Sequence, residues 1–205
     1  MQVSPSEIDA RQCYQLLVGA ILPRPIAWVS TIDANGISNL APYSFFTVAS
    51  CNPPVLCVNQ VNPRNRPEKD TLANLRATRE CVVNIVSQAQ AEAMNASCGD
   101  YPPGVSEFDA IGIATSASRS VGAPGVRDAK VRFECRLREV IIISPGPLGG
   151  SMMLLDVVDM YIDDAILKDG SIDNRLLEAI GKLGGNFYTT TGQTFELERP
   201  VIQGA

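Results

Sequence analysis

A lysine, an aspartate and a threonine stand together at the start of a predicted helix, as Lys69, Asp70 and Thr71. Two further cations, Arg64 and Arg66, lie just before them. The free N–H groups and the positive dipole end of a helix N-terminus attract phosphate, so this segment is a candidate phosphate site. Asp70 is explained equally well as the helix N-cap, and loop cations are usually solvated. The pattern alone leaves both interpretations open.

The segment 39–46 is a second candidate site, and it follows a strand that carries Trp28, Ser30 and Thr31. Small residues let a backbone approach a flat heterocycle, and hydroxyls and backbone amides can address the polar edge of such a ring. A core strand with a kink at Pro42 accounts for the same periodicity. A ligand site and a plain core strand are therefore alternatives at this stage.

The 205-residue chain contains no histidine. This excludes Ser-His-Asp and Cys-His nucleophile pairs, histidine zinc ligands and any unperturbed side chain that titrates near neutrality. Neither G-x-G-x-x-G nor G-x-x-x-x-G-K-[ST] occurs, so a phosphate or dinucleotide must be held in another way. If the protein is an enzyme, we expect a bound cofactor to carry the chemistry.

Acidic residues and cysteines are the side chains of this chain that could form a metal or redox site. The aspartates at 156, 159, 163, 164, 169 and 173 lack the spacing of a calcium loop, and solvated strand ends and turns explain them better. The six cysteines form no C-x-x-C pair, which favours buried free thiols. We therefore expect no metal site.

The composition limits the class of protein. The net charge of −5 and the absence of a basic stripe argue against nucleic acid. No signal-peptide pattern opens the chain, and its apolar runs are too short to span a bilayer. We expect a cytoplasmic protein without a membrane partner, folded as a single domain over residues 1–205, because 45% hydrophobic residues suffice for a core.

Strand patterns dominate the predicted elements. Strands are predicted at 25–32, 54–60, 81–86, 130–143 and 152–162, and the turn Asp33–Gly36 makes the first of them a hairpin. Helices are predicted at 70–79, 88–96 and 174–180, with a loop at 99–104 and a turn at 181–186. These elements favour a mainly antiparallel β barrel or sandwich with a few short helices.

Several motifs in this order resemble the flavin reductase-like family with an FMN-binding split barrel. The resemblance covers about residues 13–200 and is carried by Pro23–Thr31, Gly36–Phe46, Asn52–Pro54, Lys69–Asn74 and Gly181–Tyr188. It implies a split β-barrel homodimer that holds FMN noncovalently near the subunit interface. The cofactor-binding residues that it implies are Trp28, Ser30, Thr31, Ala41, Pro42, Tyr43, Ser44, Asn59, Lys69, Asp70 and Thr71, with residues 69–71 at the phosphate.

The family resemblance implies an FMN reductase that takes hydride from NADH or NADPH at flavin N5, with no obligatory catalytic side chain. The alternatives are a flavoredoxin-like carrier that keeps FMN and receives electrons from a partner protein, or a structural barrel without a ligand. Two positions depart from the family pattern. Tyr161 stands where many members have histidine, which puts NAD(P)H use in question, and Asn59 stands where serine is common.

Overall fold

The computed structural model describes residues 2–64, 66–102 and 104–201. The α-helices within these ranges are α1 Ala10–Ala20, α2 Asp70–Thr78, α3 Ala91–Ala96, α4 Glu107–Ala110 and α5 Asn174–Leu177. Short 3₁₀ turns cover Pro5–Glu7, Gln88–Gln90 and Asp164–Ile166.

Strands make up most of the regular structure. They are β1 Arg24–Pro25, β2 Ala27–Ile32, β3 Ser38–Tyr43, β4 Phe45–Cys51, β5 Pro54–Val61, β6 Glu80–Ile85, β7 Thr115–Ser116, β8 Gly125–Val126, β9 Val131–Ile142, β10 Gly150–Ile162, β11 Leu167–Lys168, β12 Ser171–Ile172, β13 Ile180–Lys182 and β14 Tyr188–Thr190. The expectation of a mainly β protein with a few short helices is confirmed.

One seven-stranded antiparallel sheet forms the body of the molecule, in the order β3-β2-β6-β9-β10-β5-β4. Its two edge strands, β3 and β4, are separated in sequence by Ser44 alone. Because consecutive Cα atoms lie about 3.8 Å apart, the two edges must approach each other at this corner. The sheet therefore curls into an open barrel. A smaller sheet has the order β1-β13-β14.

The turn between β2 and β3 shows why the predicted hairpin forms. Asp33 Oδ1 accepts hydrogen bonds from the N–H groups of Asn35 and Ile37, each at 2.8 Å. Gly36 has φ +87°, in the left-handed region that favours glycine. The turn chemistry thus fixes the register of the hairpin.

The two faces of β2 pack into different cores because its side chains alternate. Ala27 and Val29 join a cluster beneath α2, and Leu75 of that helix is fully buried there. Trp28, only 1% exposed, points the other way into a cluster with Leu40. Strand β2 is therefore buried on both faces.

The other predicted elements are also found. Strands occupy 54–61, 80–85, 131–142 and 150–162, and 3₁₀ and α-helical turns cover 88–96. Along β9 the predicted period of two holds, with Cys135 and Leu137 buried and Arg136 exposed. The loop predicted at 99–104 has no regular element where it is described, and Pro103 lies outside the described residues.

Helix α2 confirms the predicted helix but corrects its N-cap. Lys69 is the N-cap, with φ −83° and ψ 150°, and Asp70 is the first helical residue. The Asp70 carboxylate does not cap the helix, because it pairs with Arg66 Nη1 at 2.9 Å. Arg79 ends the helix in the left-handed conformation, with φ 62°.

Three local predictions differ from the structure in their bounds. The break in the segment 39–46 falls at Ser44, and β3 runs through Pro42 because that residue lies on a sheet edge. Helix α5 ends at Leu177, since Glu178 is left-handed with φ 54°. The turn predicted at 181–186 is found, but it begins later, because Gly181 and Lys182 belong to β13.

The cysteines are free, as expected, but only three are buried: Cys57, Cys81 and Cys135. Cys51 and Cys98 are exposed, which corrects the prediction of buried thiols for them. In the described residues no group of three or more Cys, Asp or Glu could hold a metal ion. No helix in the described ranges is long and apolar enough to cross a membrane.

Candidate functional site

The first turn of α2 offers unpaired amides. Its N-cap, Lys69, supplies no side-chain acceptor to the helix. The Lys69 carbonyl accepts the N–H groups of Leu72 and Ala73, each at 3.1 Å. The earlier amides, those of Asp70 and Thr71, have no such acceptor within the helix. This end of α2 can therefore bind an anion.

Strand β3 faces the same space with its free edge. The Leu40 N–H points away from β2 and donates to Glu107 Oε2 at 2.8 Å. Pro42 has no N–H to offer, so it also blunts this edge against another strand. Burial raises the pKa of the Glu107 carboxyl, and the Leu40 N–H opposes that rise.

A side-chain hydrogen bond joins the helix to the strand. Asn39 Nδ2 donates to Thr71 Oγ1 at 3.1 Å, and both residues are buried. The Thr71 hydroxyl acts there as an acceptor, so its own proton is available to a ligand. We call the cavity between α2 and β3 the anion cavity. It has a volume of about 230 Å³ and is lined by Asn39, Ala41, Pro42, Tyr43, Arg66, Lys69, Asp70, Thr71, Ser97, Cys98, Gly99, Asp100 and Glu107.

Tyr43 contributes a buried hydroxyl to the wall of the anion cavity. The residue is 5% exposed, and its hydroxyl oxygen has no hydrogen-bond partner among the described residues. Burial raises the pKa of this phenol well above its ordinary value, and the nearby Thr71 hydroxyl only partly opposes that rise, so the phenol stays protonated. Such a group costs stability unless a ligand completes its hydrogen bond.

Two cations, Lys69 and Arg66, line the anion cavity together with the carboxyl groups of Asp70, Asp100 and Glu107. The Lys69 ammonium lies 5.5 Å from the centroid of the Tyr43 ring. Burial, and secondly the Arg66 charge, lower the pKa of Lys69. A cation that is partly desolvated and close to a like charge gains most from an anionic ligand.

A second cavity, which we call the ring cavity, adjoins the first. It has a volume of about 100 Å³ and is lined by Ile26, Pro42, Ser44, Met94, Cys98, Lys182 and Tyr188. Pro42 and Cys98 line both cavities, so the two adjoin each other at β3. Its walls are more apolar than those of the anion cavity, which suits a flat ring.

The structure brings together seven of the eleven cofactor-binding residues that the sequence predicted. Six line the anion cavity: Ala41, Pro42, Tyr43, Lys69, Asp70 and Thr71. Ser44 lines the ring cavity, as Pro42 also does. Together they form a continuous wall along the edge of β3 and the start of α2.

The other four predicted residues lie outside both cavity walls. Trp28 Nε1 donates to Ser97 Oγ at 2.9 Å, so it supports the wall from behind. Ser30 bonds to the Pro124 carbonyl, and Thr31 accepts from Asn74. Strand β2 is interior to the sheet, which keeps these side chains away from the edge.

Asn59 lies on β5, and its amide donates to the Phe45 carbonyl at 3.2 Å. That hydrogen bond ties β5 to the start of β4. Asn59 lines neither the anion cavity nor the ring cavity.

Tyr161 also lies apart from these cavities. Its ring packs under the Arg132 guanidinium, 3.7 Å from the ring centroid to Cζ. Both residues line a different cavity of about 190 Å³, beside Arg119 and Asp159. The aromatic ring thus has a local partner of its own.

The sequence did not identify several wall residues. Ser97, Cys98, Asp100 and Glu107 come from the segment after α3 and from α4, which fold over the edge of β3. The only sequence feature that points to these wall residues is the loop predicted at 99–104, which interrupts regular structure there. The segment 181–188 was part of a family motif, yet the roles of its side chains were not assigned.

Comparison with known proteins gives consistent matches. Residues 18–174 match the family model described as flavin reductase like domain. An uncharacterized protein of Halalkalibacterium halodurans is 34% identical over 98% of this chain and 98% of its own.

Three solved structures are similar. Nitrilotriacetate monooxygenase component B from Bacillus cereus has TM-score 0.91 and 30% identity, covering 96% of this chain and 98% of that one. Pseudomonas fluorescens 2-nitrobenzoate 2-nitroreductase has TM-score 0.89 and 29% identity over 100% and 99%. A Shewanella frigidimarina protein with a split barrel domain, at TM-score 0.83, 23% identity and 98% and 100% coverage, shows the split-barrel fold.

Proposed function

The chain belongs to the flavin reductase-like domain family, and on that premise we propose that it binds FMN and reduces it with NADH or NADPH. The residues that line the anion cavity would hold its phosphate, and those that line the ring cavity would hold its isoalloxazine ring. The observation that carries the proposal is the Tyr43 hydroxyl, which has no hydrogen-bond partner within the described part of the chain, near the free first turn of α2. Both offer protons, and a phosphate accepts them.

The residues of the anion cavity fit a phosphate monoester. Thr71 can donate its hydroxyl proton, since Asn39 already occupies one acceptor site of that oxygen. Lys69 supplies the opposite charge at the N-terminal end of α2. The Arg66–Asp70 pair at 2.9 Å offsets the one carboxylate on the first turn. Phosphate binding would thus satisfy donors that have no acceptor in the protein.

The edge of β3 fits the rest of FMN. Ala41 and Pro42 offer a small, flat wall between the two cavities. Glu107 holds the Leu40 N–H, which fixes the strand edge before the ligand arrives. When bound, FMN supplies the redox chemistry, and the protein orients it and excludes water from one face. A chain without histidine remains competent because solvent can supply the proton.

A second candidate function is an electron carrier that retains FMN and receives electrons from a partner protein. The observation that favours it is the position of Tyr161. This residue stacks with Arg132 in a cavity that shares no lining residue with the anion cavity or the ring cavity. A residue at the family histidine position then does not assist a pyridine nucleotide.

We also propose that the protein is a homodimer. Strand β4 is a free sheet edge whose residues are mostly exposed, and Val48 is 59% exposed. An unprotected apolar edge tends to pair with another chain. A second copy of the same chain, related by a two-fold axis, can pair with this edge.

The discriminating experiment is steady-state oxidation of NADH and NADPH by purified protein with added FMN. The proposal predicts a yellow, FMN-binding protein that oxidises at least one nucleotide. Tight FMN retention with negligible oxidation would select the electron carrier. A colourless protein that neither binds FMN nor oxidises either nucleotide would refute both.

A further inference from the structure

Two cations stand directly opposite each other in the strand pair β1–β13. Arg24 and Lys182 are register partners, so their side chains leave the same face. Like charges in opposite positions destabilise a strand pair. In the described part of the chain, no carboxylate forms an ion pair with either cation. The fold therefore concentrates uncompensated positive charge here.

Arg24 is buried, at 6% exposure, among neutral oxygens. Its guanidinium donates to the carbonyls of Val18, Ile21 and Leu183 and, at 3.4 Å, to Ser44 Oγ. The negative end of the α1 dipole offsets part of the cost of this charge. Among the residues that the structure describes, no anionic side chain pairs with Arg24, although buried charges are normally paired.

Lys182 carries this positive charge to the ring cavity. It lines that cavity, and its Nζ lies 3.9 Å from the centroid of the Tyr188 ring. Arg24 holds the next residue, Leu183, through a 2.9 Å hydrogen bond to its carbonyl, so the backbone beneath Lys182 is fixed. Burial lowers the pKa of Lys182, the neighbouring Cys98 opposes this, and the Arg24 charge adds to the lowering. An anion in the ring cavity would offset both the burial of the Lys182 charge and its repulsion by Arg24.

We propose that Lys182 is a catalytic residue that stabilises the negative charge of reduced FMN in the ring cavity. This rests on the proposed function. A hydride from NADH or NADPH carries two electrons and one proton, so reduction by hydride would add one negative charge, and Lys182 would lie beside it in the ring cavity. Lys182 keeps its own proton and supplies only charge, so the reduced cofactor would stay anionic and take up no second proton. The cation thus favours the reduced over the oxidised cofactor.

The test is the midpoint potential of bound FMN, measured by anaerobic photoreduction without any pyridine nucleotide. Lys182→Gln removes the charge, Lys182→Arg retains it, and Lys168→Gln removes an exposed lysine that pairs with Asp173. In Lys182→Gln we expect the ratio of the affinity for reduced FMN to that for oxidised FMN to fall about tenfold. That loss lowers the two-electron potential by about 30 mV. Lys182→Arg and Lys168→Gln should keep the wild-type potential.

The outcomes separate the two proposals. An unchanged potential in Lys182→Gln, with oxidised FMN bound as in the wild type, would overturn the role of Lys182 and leave the proposed function standing. A wild-type protein that fails to bind FMN would overturn both. A shift in Lys182→Gln that Lys182→Arg does not rescue would indicate loss of packing on Tyr188 and would also overturn the electrostatic role.

Discussion

Asn39 of the edge strand β3 donates its side-chain amide to the Thr71 hydroxyl of helix α2, at 3.1 Å and in a buried position. This hydrogen bond links the two walls of the anion cavity. It also leaves the Thr71 proton free for a ligand. The position of β3, along which we place the flavin ring, is therefore set relative to the proposed phosphate site before any ligand binds.

Breaking this link should weaken FMN binding. In Asn39→Ala the Thr71 hydroxyl is free to turn away from the cavity, and we expect affinity for FMN to fall about tenfold, the loss of one buried hydrogen bond. Quenching of FMN fluorescence on titration with protein measures this affinity. Asn35→Ala, in the β2–β3 turn, is the control. Equal affinities in the two variants would show that the link has no part in binding.

Tyr43→Phe should separate stability from binding. The Tyr43 hydroxyl is buried without a partner among the described residues, so its removal should raise the free energy of unfolding of the ligand-free protein by about 1 kcal/mol. FMN affinity should fall about tenfold, because a donor to the phosphate is lost. Urea denaturation and FMN titration give the two values. A less stable variant with unchanged affinity would mean that the hydroxyl serves the fold.

Glu107 should make stability depend on pH. Burial raises the pKa of its carboxyl above the ordinary 4.5, so the folded protein holds this proton more tightly than the unfolded chain. The resulting stability is complete below the ordinary pKa and declines as pH rises through the raised one. Glu107→Gln should flatten that decline, as followed by urea denaturation at several pH values. The exposed Glu92→Gln should retain the wild-type slope; a wild-type slope in Glu107→Gln would contradict the assignment.

The exposed edge of β4 should hold the proposed dimer together. Val48→Lys places a charge on that edge, and we expect a shift from dimer to monomer in light scattering after size-exclusion chromatography. Leu167→Lys, on β11 and 36% exposed, should stay dimeric. A dimer that survives Val48→Lys would place the interface on another surface.

Local patterns in the sequence predicted most of the fold. The β2–β3 hairpin follows from two residues of the turn itself. Asp33 accepts a backbone hydrogen bond through its side chain, and Gly36 adopts a left-handed φ. The N-cap of α2 was assigned to Asp70 because aspartate prefers that position. The Arg66 guanidinium competes for the same carboxylate, and Lys69 becomes the N-cap.

The candidate site was only partly predictable. Residues 41–44 and 69–71 lie on the edge of β3 and the first turn of α2, and local patterns indicated both. Trp28 was expected in the site, yet the sequence does not show that β2 is interior to the sheet. Cys98 and Glu107 reach the cavity from segments distant in sequence, so only the folded chain brings them there.

The central claim is that the first turn of α2 holds the FMN phosphate. The most direct measurement is the FMN dissociation constant of Lys69→Ala/Thr71→Ala, beside Arg76→Ala at the other end of the same helix. We expect the double variant to lose at least about 100-fold in affinity with its fold intact by circular dichroism, since two charge-assisted contacts disappear. Arg76→Ala should bind as the wild type does. Wild-type affinity in the folded double variant would contradict the account.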